Sequence, residues 1–274
     1  MTADQQRDPA PDPAPAGDSR PARDPAPAVT RSLRILTLLA ESGGRAQTLS
    51  DIARSLGIAK SSTANLCLAL EQGAMIQRTA EGYLLGRRTA ELGGAYALRF
   101  NQIREFFDVC AASVELAGEV VQIALLDGTD VLYLARHEGR APRSLGTPIG
   151  SRLPAALSAT GNAILATMTD AEVRDLLAGV PVQPVSATGP RSPDDLLARL
   201  ADVRRRGYAV DREDSFAGVT GVAVALPPWT PSDPLLAIGA ALPTQDADED
   251  TITRVGAALT EAARLLTNPL AVQS

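Results

Sequence analysis

Apolar positions recur along this chain first at helical spacing and later at strand spacing, and the change of period divides it. Residues 29–41 place Leu33, Leu36 and Leu39 three apart with Ile35 and Leu38 beside them, which predicts an amphipathic helix. Within 48–77, Ile52, Ala53 and Leu56 share one helical face, and Gly57 supplies a left-handed stop. Thr48 and Asp51 have capping-box spacing, with Asp where Glu or Gln is usual. Ile58 then plugs the angle before a second helix that starts near Lys60 and Ser61. That helix turns Thr63, Leu66, Cys67 and Leu70 inward and Ser61, Ser62, Ala64, Asn65 and Leu68 outward, and it ends at Gly73. Residues 74–78, a Glu81-Gly82 turn and residues 83–88 read as a hairpin with basic residues on both strands, Arg78 on one and Arg87 and Arg88 on the other.

Beyond the hairpin, 89–98 predicts a helix of small residues that bends at Gly93-Gly94, and 102–116 a further amphipathic helix. At Glu119 the period becomes two. Val120, Gln122, Ala124 and Leu126 alternate with Val121, Ile123 and Leu125, an Asp127-Gly128 turn follows, and 131–135 returns as the second strand of a hairpin. Helices are expected at 159–168, 171–177, 193–206 and 248–266, and strands at 208–210, 221–226 and 235–242. Helices and hairpins around one sheet make an α+β domain.

Charge follows the same division. Residues 29–100 carry a net +4, whereas 101–274 carry −8. Only the first segment suits a polyanion, and the acidic remainder should repel one. Residues 1–28 repeat Asp-Pro-Ala-Pro from Asp8, Asp12 and Asp24 and hold almost nothing apolar beyond alanine, so this tail is expected to be disordered. No apolar run is long enough to span a membrane and no signal peptide is evident, so a cytoplasmic location is expected. Cys67 and Cys110 are too few for a disulfide framework.

Two short helices about a glycine turn, followed by a basic hairpin, form the pattern of a winged helix-turn-helix that docks on double-stranded DNA. A recognition helix offers its first residues to base edges and its first amides to phosphate, which selects Lys60, Ser61, Ser62 and Asn65. Asn reads adenine and Ser serves either phosphate or base. Lys60 is the chain's sole lysine. Arg78, Arg87 and Arg88 would lie along the backbone as the wing.

Catalysis has little to draw on. His137 is the one histidine, set between Arg136 and Glu138 where a solvated loop is expected. Asp211, Glu213 and Asp214 form a carboxylate cluster near Arg204, Arg205 and Arg206, and a structural charge network is the favoured reading for Glu213 and Asp214. The single glycine of the segment at 158–166, SATGNAILA, lacks the spacing of a phosphate loop. No catalytic residue, metal site or cofactor is expected, and the chain is read as no enzyme.

From 29 to 270 the chain resembles the IclR family of bacterial transcription regulators. The resemblance rests on LSDIARSLGIAKSSTANLCLAL, Tyr83-Leu84-Leu85-Gly86, SATGNAILA, and RRRGYAVDREDSFAGVTGVAVAL at 204–226. It implies a winged helix-turn-helix at 29–88, a linker helix at 89–103, and a GAF-like effector domain at 104–272, in dimers that pair into tetramers. It implies an effector pocket lined by Ala159, Thr160, Asp211, Val219, Gly221, Gly239 and Ala241. Family members that bind small carboxylates tend to carry Cys or Ser where this chain has Gly221, Gly239 and Ala241, so donors are missing there. Ala156 stands in place of a common histidine and Asn162 in place of a usual lysine. Either backbone amides hold the ligand or the pocket is roomier and more apolar, which favours an effector that is a small organic acid or a small aromatic metabolite with one polar end. In the recognition helix, Asn65 and Ala64 replace residues that are commonly basic and large. The second reading is a DNA-binding regulator without an effector, and both repressor and activator action are compatible with the sequence.

Overall fold

The computed structural model describes residues 24–97, 101–139, 145, 147–229 and 233–267. The expected disordered tail lies outside the described residues except for 24–28. The chain divides into two compact units between Gly93 and Gly94.

The first unit is a helical core with a short hairpin. Helices α1 (Pro27–Glu41), α2 (Leu49–Leu56) and α3 (Lys60–Gln72) precede strands β1 (Ile76–Arg78) and β2 (Tyr83–Leu85), which pair antiparallel with Arg78 opposite Tyr83. Thr48 caps α2 by accepting the Asp51 amide at 3.2 Å, and Gly57 ends it at φ 65°. Ile35, Leu39, Ile52, Cys67, Ile76 and Tyr83 form the core. The stripe of α1 differs from the expected one: Leu33 is 58% exposed, because at 100° per residue it stands about 160° round the helix from buried Ile35.

Arg87 and Arg88 are not on a strand. They open α4 (Arg87–Ala97), because Gly86 closes the hairpin and Thr89 turns back to hydrogen-bond the Gly86 carbonyl at 2.7 Å. The helix continues through Gly93-Gly94 to Ala97.

The second unit is one antiparallel sheet between two helical layers. It comprises α5 (Asn101–Ala112), β3 (Val120–Asp127), β4 (Asp130–His137), β5 (Arg152–Pro154), α6 (Ala159–Leu165), α7 (Asp170–Leu176), α8 (Pro193–Arg206), β6 (Ala209–Arg212), β7 (Val219–Leu226), β8 (Leu236–Pro243) and α9 (Glu249–Leu265). The strand order is β5-β4-β3-β8-β7-β6. Helix α5 stops short of its expected end at 116, where turns carry the chain into β3. Strand β5 is three residues long and ends in proline, so it left no periodic signal. The strong helix boundaries have local causes: Ser192 caps α8 and Asp248 caps α9, while Gly207 ends α8 at φ 86°.

The two faces of the sheet differ in residue size. Val222, Val224, Leu226, Ile238 and Leu242 pack with α5 and α9. On the other face Ala124, Ala223 and Ala237 lie against α6, α7 and α8. Small residues let α6 settle deeply, and all seven of its residues are buried.

Candidate functional site

Two constellations stand out, one in each unit. In the first, Lys60, Ser61 and Asn65 are exposed on α3 with Ser62 half-buried among them. Leu68, one turn beyond Asn65, is 54% exposed. Ala59 precedes α3 without a side-chain cap, so the first amides of the helix lack a side-chain acceptor. Arg78 is exposed at the end of β1, with its guanidinium 6.0 Å from the centre of the Tyr83 ring. Arg87 and Arg88 are exposed in the first turn of α4, where Arg88 meets Glu91 at 2.8 Å.

In the second unit, Ala159, Thr160, Asp211, Val219, Gly221, Gly239 and Ala241 line a single cavity. Strand register explains their meeting. Asp211 pairs with Gly221 and Gly221 with Ala241, while Gln122 pairs with Gly239 and Gly239 with Ala223. Two adjacent rows of the sheet therefore floor the cavity, and α6, capped by Ser158 accepting the Gly161 amide at 3.1 Å, covers it.

The missing side chains do not make this cavity roomier. A Cβ at Gly239 would stand 2.9 Å from Thr160 Cγ2, and one at Gly221 would stand 3.0 Å from Ala159 Cβ. Helix α6 has taken the space, leaving about 50 Å³. Ligand pockets commonly span roughly 300–1,000 Å³, so an aromatic acid enters only if the walls move. The loop between β6 and β7 places Phe216, 46% exposed, at the cavity.

Polar groups that sequence reasoning did not assign also line it. Tyr133 and Thr160 share a hydroxyl contact of 3.2 Å, and the Gln122 amide accepts from the Thr147 amide at 3.2 Å and donates to the Thr147 carbonyl at 2.5 Å. Ser158 and Ser215 add further hydroxyls, and Leu153, Val222 and Ala240 add apolar lining. The available signal was Gln122, a polar residue in an otherwise apolar strand.

Asp211 is 7% exposed, and burial pushes its carboxyl up to about 7. The neighbouring Asp214 charge adds to that rise, against the Asp214 amide, which donates to Asp211 Oδ1 at 2.6 Å. Ser215 lies close enough to favour the ionised form, yet its buried hydroxyl makes no hydrogen bond of good geometry. Among the described residues the cavity has no cationic lining.

Asp214 belongs to a different arrangement. It is fully buried, paired with Arg199 and hydrogen-bonded by Ser186, so it ties the loop to α8. Its partner is thus Arg199 and not the run at 204–206: Arg204 binds Asp170 and the carbonyls of Ala166 and Met168. Glu213, at φ 64°, accepts the Gly218 amide at 3.0 Å. Asn162, in place of the usual lysine, stands 3.0 Å from the carbonyls of Ala155, Ala156 and Ser158 and pins the turn before α6. His137 ends β4 half-buried and not in a solvated loop; its Nε2 is enclosed without a hydrogen-bond partner among the described residues. Among those residues no group of three His, Cys, Asp or Glu side chains converges, and no helix is long and apolar enough to cross a membrane.

Two family models match this chain. "IclR helix-turn-helix domain" covers residues 28–80, and "Bacterial transcriptional regulator IclR C-terminal" covers 98–268. The Transcriptional repressor IclR of Escherichia coli K12 is 27% identical over 257 residues, 92% of this chain and 93% of that protein. The crystal structure of the Thermotoga maritima IclR has a TM-score of 0.72 at 24% identity, covering 88% of this chain and 97% of that one. An IclR homolog from Microbacterium hydrocarbonoxydans, solved in complex with 4-hydroxybenzoate, has a TM-score of 0.74 at 26% identity, with coverage of 90% and 100%.

Proposed function

We propose, since this chain belongs to the IclR family of bacterial transcriptional regulators and is a DNA-binding regulator and not an enzyme, that a small-molecule effector in its second unit controls when the first unit binds an operator. The observation that carries the reading is the enclosed cavity of the second unit, floored by Gly221, Gly239 and Ala241 and holding the buried carboxyl of Asp211. Its hydroxyls and apolar walls suit a small organic acid or a small aromatic metabolite with one polar end, and a homolog solved with 4-hydroxybenzoate supports that class. The protein acts in the cytoplasm, and a relative named as a repressor supports the same sign of control here.

Lys60, Ser61, Ser62 and Asn65 form the base-facing and phosphate-facing start of α3, and Arg78, Arg87 and Arg88 approach the backbone beside it. Uncapped first-turn amides support phosphate contact at this helix. Lys60→Ala is expected to weaken binding to a mixed-sequence duplex and to lower the slope of log affinity against log salt by about 0.9. Asn65→Ala is expected to leave that slope unchanged and to cost about 1–3 kcal/mol at particular base pairs of a selected operator. Filter-binding titrations over a range of salt separate the two. Unchanged affinity in both variants would displace the recognition helix from this position.

The working unit is a homodimer, with pairing of dimers into tetramers. Half-exposed apolar residues support self-association: Val29 and Leu33 on α1, and Leu92 and Tyr96 on α4. The linker at 89–103 carries the coupling, because an effector shifts the equilibrium only through different affinities for two arrangements of the dimer.

A thermal-melt screen of small aliphatic and aromatic acids, 4-hydroxybenzoate among them, tests the effector. A ligand at a hundred times its dissociation constant should add about 2.7 kcal/mol of stability. A flat response from both classes of acid would favour the regulator without an effector.

A further inference from the structure

We propose that a second site, a cleft of about 600 Å³ between α8 and the edge strand β6, binds a compact multivalent anion of the phosphate or phosphate-ester class. The cleft brings together Arg191, Arg199, Arg206 and Arg212, with Asp195 and Asp202 on the same lining. Such a concentration of guanidinium groups is unexpected in a segment, 101–274, whose net charge is −8.

The charges do not cancel within the cleft. Arg199 is committed to buried Asp214 and Arg212 to Glu249, at 2.5 Å. Asp202 is committed to Arg205, and the Asp195 carboxylate accepts the Arg191 amide at 3.1 Å while the Asp195 amide donates to Ser192 Oγ. Arg206 and Arg191 are left without a carboxylate partner among the described residues. Arg206 uses Nε on the Tyr208 carbonyl at 2.8 Å and lays its guanidinium 5.0 Å from the Tyr208 ring centre, so its plane is fixed while its terminal nitrogens stay uncommitted. Arg191 makes one side-chain hydrogen bond, to the Ser186 carbonyl at 3.3 Å.

Local sequence explains the convergence. Asp195, Arg199, Asp202 and Arg206 follow one another at steps of four, three and four residues along α8, which places them on one face of the helix. Strand β6 adds Arg212 from its unpaired side of the sheet. Burial lowers the pKa of Arg206, Arg212 and Arg199 add to that as like charges, and Tyr208 and Glu249 act against it. Planar guanidiniums with free donor pairs match phosphate oxygens in bidentate fashion. The net charge of −8 over 101–274 disfavours a long polyanion such as DNA and leaves a small one as the occupant.

The test uses the full chain, with inorganic phosphate and pyrophosphate as probes, titrated by calorimetry at low ionic strength. Saturable binding is expected, tighter for pyrophosphate. Arg206→Gln and Arg191→Gln should each weaken it by about tenfold or more. Arg152→Gln, on β5 at the opposite edge of the sheet, should leave it unchanged, as should Lys60→Ala in the first unit. Far-ultraviolet circular dichroism melts confirm that each variant folds. Two results overturn the proposal: no saturable pyrophosphate binding to the wild-type chain, or binding that survives in Arg206→Gln and is lost in Lys60→Ala. Neither result bears on the effector cavity, whose ligands are screened separately.

Discussion

Asp211→Asn should stabilise the protein by about 3–4 kcal/mol at pH 8 and progressively less as the pH is lowered towards 4. Burial raises the carboxyl from 3.8 to about 7, so the fold prefers the neutral acid. Between those values the folded chain keeps a proton that the unfolded chain has released. Wild-type stability therefore falls as pH rises through this window and is level above it. One pKa unit is worth 1.36 kcal/mol, which sets the size of the effect. Asparagine is neutral throughout, and its oxygen is able to accept the Asp214 amide as Oδ1 does now. Urea denaturation at pH 5, 7 and 8 measures the difference. A gain that does not change with pH would mean that Asp211 is not the group that titrates. The same linkage reaches function: an anionic effector placed beside Asp211 binds with uptake of a proton, so its affinity should fall above pH 7 in the wild type and stay level in the variant.

The second large effect is expected from Gly86→Ala. A Cβ there would stand 2.2 Å from the Ala74 carbonyl oxygen and 2.9 Å from the Ile76 carbonyl carbon, and both are backbone atoms with no rotamer to change. Ala74 already holds a left-handed φ of 55°, and its carbonyl accepts the Arg88 amide at 3.1 Å. The substitution therefore separates β1 from β2 and the hairpin from the start of α4. Overpacking against backbone should cost about 3 kcal/mol, enough to melt a small helical unit at growth temperature. The chain's one tryptophan, Trp229, lies in the second unit with its indole N–H on the Leu266 carbonyl at 3.0 Å. Its fluorescence should report an unchanged transition, while circular dichroism shows early loss of helix and DNA affinity disappears. An early shift in the tryptophan signal as well would contradict this independence.

What the sequence made legible were features with local causes. Thr48, Gly57, Ser192, Gly207 and Asp248 mark helix ends through their own side chains or their lack of one, and the helices they bound lie close to where expected. The seven residues assigned to a pocket by family resemblance do share a cavity, because strand register brings Asp211, Gly221 and Ala241 onto one row. Three things escaped. Leu33 looked like core because spacing alone does not say which of two overlapping stripes faces inward. Arg87 and Arg88 read as strand in the sequence because nothing in Leu-Gly-Arg-Arg reveals that the glycine ends the hairpin. The volume of the cavity depended on how far α6 descends onto the sheet, a tertiary quantity that removing side chains at 221 and 239 changes in the opposite sense to simple subtraction.

Strand β6 separates two spaces of different chemistry. Asp211 faces the cavity beneath α6, whereas Val210 and Arg212 line the arginine cleft. The Asp214 amide holds Asp211 on one side while its carboxylate holds Arg199 on the other. The two spaces thus share a wall through Asp214. By thermodynamic reciprocity, any factor by which an anion in the cleft changes effector affinity is the factor by which the effector changes anion affinity. A regulator built in this way would weigh two metabolites against each other within a single sheet edge, before any signal leaves the domain.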